Sequence, residues 1–133
     1  MADFFSLTMD EVFRLSFHNP EPFRIDPTTL PPPAAQTIAA GNRTAIAVYA
    51  GSAMADLTLL GRLGSLELPT LVLWGESDGI VDVDYGRAYA AAIPMAQFQL
   101  LPETGHSPQL ETPDQVIHAI WDSADTDFAA FAR

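Results

Sequence analysis

Proton transfer and nucleophilic attack need imidazoles, carboxylates, hydroxyls or thiols, and this sequence concentrates its usable groups in two places. It has three histidines, His18, His106 and His118, and no cysteine, so thiol catalysis, disulfides and cysteine-based zinc sites are excluded. Gly75-Glu76-Ser77-Asp78-Gly79 follows a continuous apolar run, with Asp82 and Asp84 soon after. Thr104-Gly105-His106-Ser107-Pro108 follows a second, shorter run, with Glu111 just beyond. Carboxylates and imidazoles are the groups that general acid–base chemistry uses. Plainer roles compete at each position. Asp78-Gly79 is also an ordinary turn dipeptide. Asp82 suits a helix cap, and Asp84 a favourable charge in a first helical turn. His118 lies within a helical pattern and His18 precedes Asn19-Pro20, so both read as structural or solvent-exposed. Glu111 fits either a support of the histidine loop or a plain surface residue. The carboxylates at 78, 82 and 84 do not have the spacing of a calcium loop, and Asp122, Asp125 and Asp127 fit it no better. No metal site and no cofactor is expected, since G-x-G-x-x-G and Walker loops are also missing.

The elements around these residues decide whether they can meet. Thr8 and Glu11 have capping-box spacing, which predicts a helix to Phe17, with Asn19-Pro20 ending it. Pro20, Pro22, Pro27, Pro31, Pro32 and Pro33 predict an extended connection over 19–33 without regular structure. Ala34 to Tyr49 is alanine-rich and reads as helix, weakened at Gly41. A short helix and loop over 56–68, with Leu57, Leu60 and Leu63, leads into Thr70-Leu71-Val72-Leu73-Trp74. That run fits a strand buried on both faces, as in parallel sheets. Asp82 caps a helix from Val83 to Ala92, which Ile93-Pro94 terminates. Phe98 to Leu101 is a second strand. Pro102 to Leu110 reads as loop. Thr112, Pro113 and Gln115 then open a helix to about Asp122, burying Val116, Ile117, Ile120 and Trp121. Strand, helix, strand, helix is βαβα order and implies parallel strands. Ligands and catalytic groups of such sheets gather at the carboxyl ends of the strands. The loops over 76–81 and 102–110 both lie there.

At this point the residues resemble a known family. Leu68-Pro69-Thr70-Leu71-Val72-Leu73-Trp74-Gly75-Glu76-Ser77-Asp78 looks like the penultimate core strand of α/β-hydrolases and the acid loop after it. Gly105-His106-Ser107-Pro108-Gln109-Leu110-Glu111-Thr112-Pro113 looks like the family's histidine loop and the start of its last helix. The similarity covers residues 66–122, and the alanine-rich stretch before it is similar to the end of the family's helical cap. The resemblance implies a partial α/β-hydrolase fold: a helical cap-like segment over 1–65, then the last parallel strands with flanking helices over 66–133. It implies Asp78 as the triad acid and His106 as the base, in the family's chain order of nucleophile, acid, histidine. Glu76 is off the family pattern. Gly105 lets the backbone turn so that the ring points into the cleft. The nucleophile departs from the pattern: no G-x-S-x-G elbow exists in this sequence. Ser52 and Ser65 each follow a glycine, but neither has the flanking strand or the second glycine. The family's oxyanion-hole loop has no counterpart either.

Composition bounds the partners. With 48% apolar residues a packed core is feasible. A net charge of −11 argues against nucleic acid and anionic membranes as partners. No apolar stretch reaches the length of a membrane span, and Met1 is not followed by a signal-peptide pattern, so a cytoplasmic protein is expected. Two parallel strands expose unpaired edges. They lead us to expect either a missing N-terminal half present as a partner, or self-association. Trp74 and the early phenylalanines are expected to lack cover. Within an intact hydrolase, the expected reaction is cleavage of an ester, lactone, amide or similar bond in a small apolar substrate, with Phe4, Phe5, Phe13, Phe17, Phe23 and Tyr49 near the pocket. The competing reading is a non-catalytic remnant or interaction module that keeps the two motifs without a nucleophile.

Overall fold

The computed structural model describes residues 7–24 and 55–131, with positions 26, 29, 41, 44, 45, 48 and 49 between them. The expected helix over 34–49 falls mostly outside these residues, as do Phe4, Phe5 and Ser52. Helix α1 spans Met9–Ser16 and begins as its sequence dictates. The Thr8 hydroxyl accepts from the Glu11 amide, and the Glu11 carboxylate takes the Thr8 amide at 2.8 Å, closing the capping box. The proline-rich connection is not wholly irregular. A 3-10 turn forms over Glu21–Phe23, because Pro22 sits in a first turn, where no backbone donor is needed.

Helix α2 is Leu59–Leu63, strand β1 Thr70–Gly75, helix α3 Val83–Ala91 and strand β2 Ala96–Leu101. Helix α4 is the short Pro108–Glu111, and α5 runs Pro113–Phe131. The strands are parallel and in register from Thr70 against Ala96 to Gly75 against Leu101, as the βαβα order requires. Strand β2 starts two residues earlier than its apolar run. Ala96, Phe98 and Leu100 are half-buried while Gln97 and Gln99 are exposed, the alternation of a strand with one wet face.

The core is small. Leu63, Val72, Ala90 and Ile93 form a buried cluster, with Leu59, Trp74, Tyr89 and Phe98 packed against it. Leu101 and Ala119 are buried as well. Trp74 is better covered than its sequence context suggests. Gly86 of α3 lies flat on the indole, so closely that a Cβ there would meet the ring at 2.4 Å, and the indole N–H donates to the Val81 carbonyl at 3.1 Å. Two expectations fail on α5. The helix continues past Asp122 to Phe131, since the sequence contains no glycine or proline to stop it. Its apolar stripe is also not fully covered: Val116 is half-buried, but Ile117, Ile120 and Trp121 are each at least half exposed. The Gln115 side-chain amide donates to the Pro102 carbonyl at 3.2 Å and ties α5 to the histidine loop.

Candidate active site

The register of the two strands explains how residues 28 apart in sequence come to touch. Gly75 and Leu101 end their strands side by side, and the ladder continues into the loops. The Glu76 amide donates to the Leu101 carbonyl at 2.9 Å, and the Ser77 amide to the Thr104 carbonyl at 2.8 Å. The loops approach so closely at Gly75 that a Cβ there would sit 2.1 Å from the Gly105 carbonyl oxygen. Glu103 turns the chain out of β2 with a left-handed φ of 52°, a conformation that costs a side-chain-bearing residue about 1–2 kcal/mol.

Asp78 uses its two oxygens separately. Oδ1 accepts from the amides of Ile80 and Val81, both at 2.9 Å, which makes the tight turn that the Asp-Gly dipeptide announces. Oδ2 faces the Nδ1 of His106 at 2.9 Å. The Asp78 side chain is only 5% exposed, whereas that of His106 is 44% exposed. A carboxylate only accepts, so Nδ1 carries the hydrogen and Nε2 keeps its lone pair on the open side of the ring. Among the described residues nothing hydrogen-bonds to Nε2. An imidazole held at one nitrogen and open at the other can take a proton from one group and return it to another.

The histidine loop is fixed from beneath. Thr104 is fully buried; its hydroxyl donates to the Pro102 carbonyl at 2.8 Å and pairs with the Thr112 hydroxyl at 2.9 Å. The Gly105 amide donates to Glu111 Oε2 at 2.7 Å, and the His106 amide to the Ser16 carbonyl at 2.6 Å. The other sequence candidates lie apart from the Asp78–His106 contact. Asp82 caps α3 through the Tyr85 amide at 2.8 Å, and Asp84 lies in the first turn of that helix. Glu76 is exposed, and His118 is exposed on α5. The Ser65 hydroxyl donates to the Arg62 carbonyl at 2.8 Å, at the end of α2. No group of three potential metal ligands occurs among the described residues.

Sequence reasoning missed the role of the last residues of α1 and the segment that follows them. The Leu15 carbonyl accepts from the Gly79 amide at 2.9 Å, Ser16 holds His106, and His18 Nδ1 lies 2.9 Å from the Ser77 hydroxyl. The Asn19 amide donates to Glu111 Oε1 at 2.7 Å. Residues 15–19 therefore cross both loops. A side chain at Gly105 would run into Ser16 and Phe17, and one at Gly79 into Leu15. Of these features only the two glycines are visible in sequence. Phe13, Phe17 and Phe23 stack on one another, with centroids 5.8 and 4.6 Å apart, while Tyr49 is exposed.

Known proteins resemble this chain over part of its length. The 2-hydroxy-6-oxo-6-phenylhexa-2,4-dienoate hydrolase of Burkholderia cepacia is 42% identical over 53 residues, which is 40% of this chain and 18% of that protein. Lipase 1 of Psychrobacter immobilis is 32% identical over 53 residues, 40% of this chain and 17% of the lipase. The chain thus spans less than a fifth of the length of these curated relatives. Among solved structures, a thermophilic esterase from Thermogutta terrifontis matches with a TM-score of 0.55 and 33% identity, over 61% of this chain and 30% of the esterase. No described helix is long and apolar enough to cross a membrane. A sequence profile of the alpha/beta hydrolase fold matches residues 9–113, a stretch that takes in α1, both strands, Asp78 and His106, and on that match the chain belongs to the α/β-hydrolase family.

Proposed function

We propose that Asp78 and His106 are the acid and the histidine of an α/β-hydrolase triad, and that this chain takes part in hydrolysis of an ester, lactone, amide or similar bond. His106 Nε2 takes the proton of an attacking nucleophile and returns it to the leaving group. Asp78 fixes the ring and stabilises the imidazolium that forms in between. The supporting observation is the 2.9 Å contact between Nδ1 and Oδ2, on a carboxylate whose other oxygen is already held by two amides. With no G-x-S-x-G in the sequence, the nucleophile and the oxyanion hole are contributed by another segment or polypeptide. Residues 1–65 are read as a cap-like segment that precedes the core of 66–133 in sequence, and the Phe13, Phe17 and Phe23 stack suits a small apolar substrate. The relatives are named for a dienoate, for lipase activity and for esterase activity, so the proposal stays at hydrolysis rather than one substrate.

The missing elbow favours a second reading, a non-catalytic module that has kept the two motifs. Native mass spectrometry of the purified protein, paired with an aryl-ester hydrolysis assay, separates the two. A second polypeptide bound to this chain, with turnover that His106→Ala abolishes, supports the enzyme. This chain by itself or with copies of itself, and no turnover, supports the module.

A further inference from the structure

We infer that Glu111 is a positioning residue for His106, tying the histidine loop to residues 15–19 so that the ring stays in register with Asp78. The inference rests on the reading of Asp78 and His106 given above. Both carboxylate oxygens of Glu111 are used, and both on main-chain donors. Oε2 takes the Gly105 amide and Oε1 takes the Asn19 amide, each at 2.7 Å. Distances this short are those of charge-assisted bonds. Gly105 immediately precedes His106, so the first bond sets the backbone from which the imidazole projects. The second bond holds the far end of a segment whose near end is already fastened to both loops. Leu15 binds Gly79 beside Asp78, and Ser16 binds His106 itself. Glu111 is the last residue of α4, and its own amide donates back to the Ser107 carbonyl at 3.1 Å, next to His106. The carboxylate thus closes a ring of contacts through Gly105, His106, Ser16 and Asn19.

Only a carboxylate suits this place. Two N–H groups converge on the side chain, and a Gln amide would meet one of them with its own donor. Glu111→Gln keeps the size of the side chain and loses one bond; Glu111→Ala loses both.

The test is nitrogen-15 NMR of the full chain, reading the His106 ring for its tautomer and for exchange of the Nδ1 proton. His118, exposed on α5, is the internal control. Backbone signals of β1 and β2 report folding, and Glu111→Gln is the variant read if Glu111→Ala unfolds. In the wild type the His106 ring shows a protonated Nδ1 whose signal is lost in Asp78→Asn. Both Glu111 variants are expected to mix the tautomers and speed Nδ1 proton exchange at least about tenfold, the change expected on losing one hydrogen bond to a charged group. His118 stays as it was. If His106 responds to Asp78→Asn but to neither Glu111 variant, the inference is overturned and the acid–histidine pair stands. If His106 ignores Asp78→Asn, the pair itself is refuted, and the inference with it.

Discussion

Adding one methyl group at two glycines is expected to move stability in opposite directions. Gly75 ends β1 where the acid and histidine loops converge, and a Cβ there would lie 2.1 Å from the Gly105 carbonyl oxygen and 2.4 Å from that of Thr104. Ordinary contact begins at 3.4 Å, so one loop must retreat by about 1.3 Å, the difference between 3.4 and 2.1 Å. Both obstacles are backbone atoms and cannot rotate aside. Overpacking of a fixed site costs about 1–3 kcal/mol, and Gly75→Ala belongs at the upper end, about 3 kcal/mol. For a chain of this size that lowers Tm by about 10–15 °C. Retreat of either loop also pulls Asp78 from His106, and a misplacement of about 1 Å can cost on the order of a hundredfold in rate. Gly61→Ala is the control. Gly61 lies inside α2 with nothing within 4 Å of the added carbon, so the change removes only the entropic penalty of a helical glycine. A gain of about 0.5–1 kcal/mol is expected. Thermal melts followed by circular dichroism give both values. If Gly75→Ala melts within about 2 °C of wild type and the His106 ring signal is unchanged, the loops are not held as closely as the geometry requires.

Three further outcomes follow from the same contacts. Asp82→Ala removes the hydroxyl-free carboxylate cap of α3 and should cost about 1 kcal/mol in the same melts, whereas in turnover Asp82→Asn should be far milder than Asp78→Asn; the reverse order would make Asp82 the acid. Ile93→Ala empties a buried position in the core cluster and should cost about 2–5 kcal/mol by urea titration; a loss under about 1 kcal/mol would mean that the cluster is loosely packed. Bonds from the backbone and side chain of Thr8 hold the Glu11 carboxyl below the ordinary glutamate range. A depressed folded-state value means that its support of α1 is complete above the ordinary glutamate range and is lost as pH falls through the lowered value. Protection of the α1 amides, relative to their intrinsic exchange rates, should therefore fall with acidification, and Thr8→Ala should flatten that fall.

How much of this was legible in the sequence depends on the range over which each feature is encoded. The capping box of α1, the cap of α3 and the apolar run of β1 are written in neighbouring residues, and they form as read. Topology accounts for the nearness of the two loops, since parallel strands in register bring their next loops to one end, but that Asp78 and His106 are the residues that meet there was implied only by the family resemblance. The division of labour between the two Asp78 oxygens does not: turn and ring contact looked like alternatives and are both made. The crossing of residues 15–19 over the loops joins positions 59 and 92 apart, and no local pattern announces it. Glu111 was legible as a candidate, though not its second partner, Asn19. The stripe on α5 misled for another reason. Periodicity marks a face that favours burial, but Ile117, Ile120 and Trp121 each stay at least half exposed, without full cover among the described residues.

The most direct test of the acid–histidine assignment is kcat/KM for an aryl ester, measured with and without His106→Ala on the assembly that joins this chain to a nucleophile. Loss of the base should lower it by about 10⁴-fold or more, with circular dichroism and Tm nearly unchanged because the ring lies in a loop with its outer face open. Turnover retained to within about tenfold of wild type would contradict the assignment of His106 as the catalytic base.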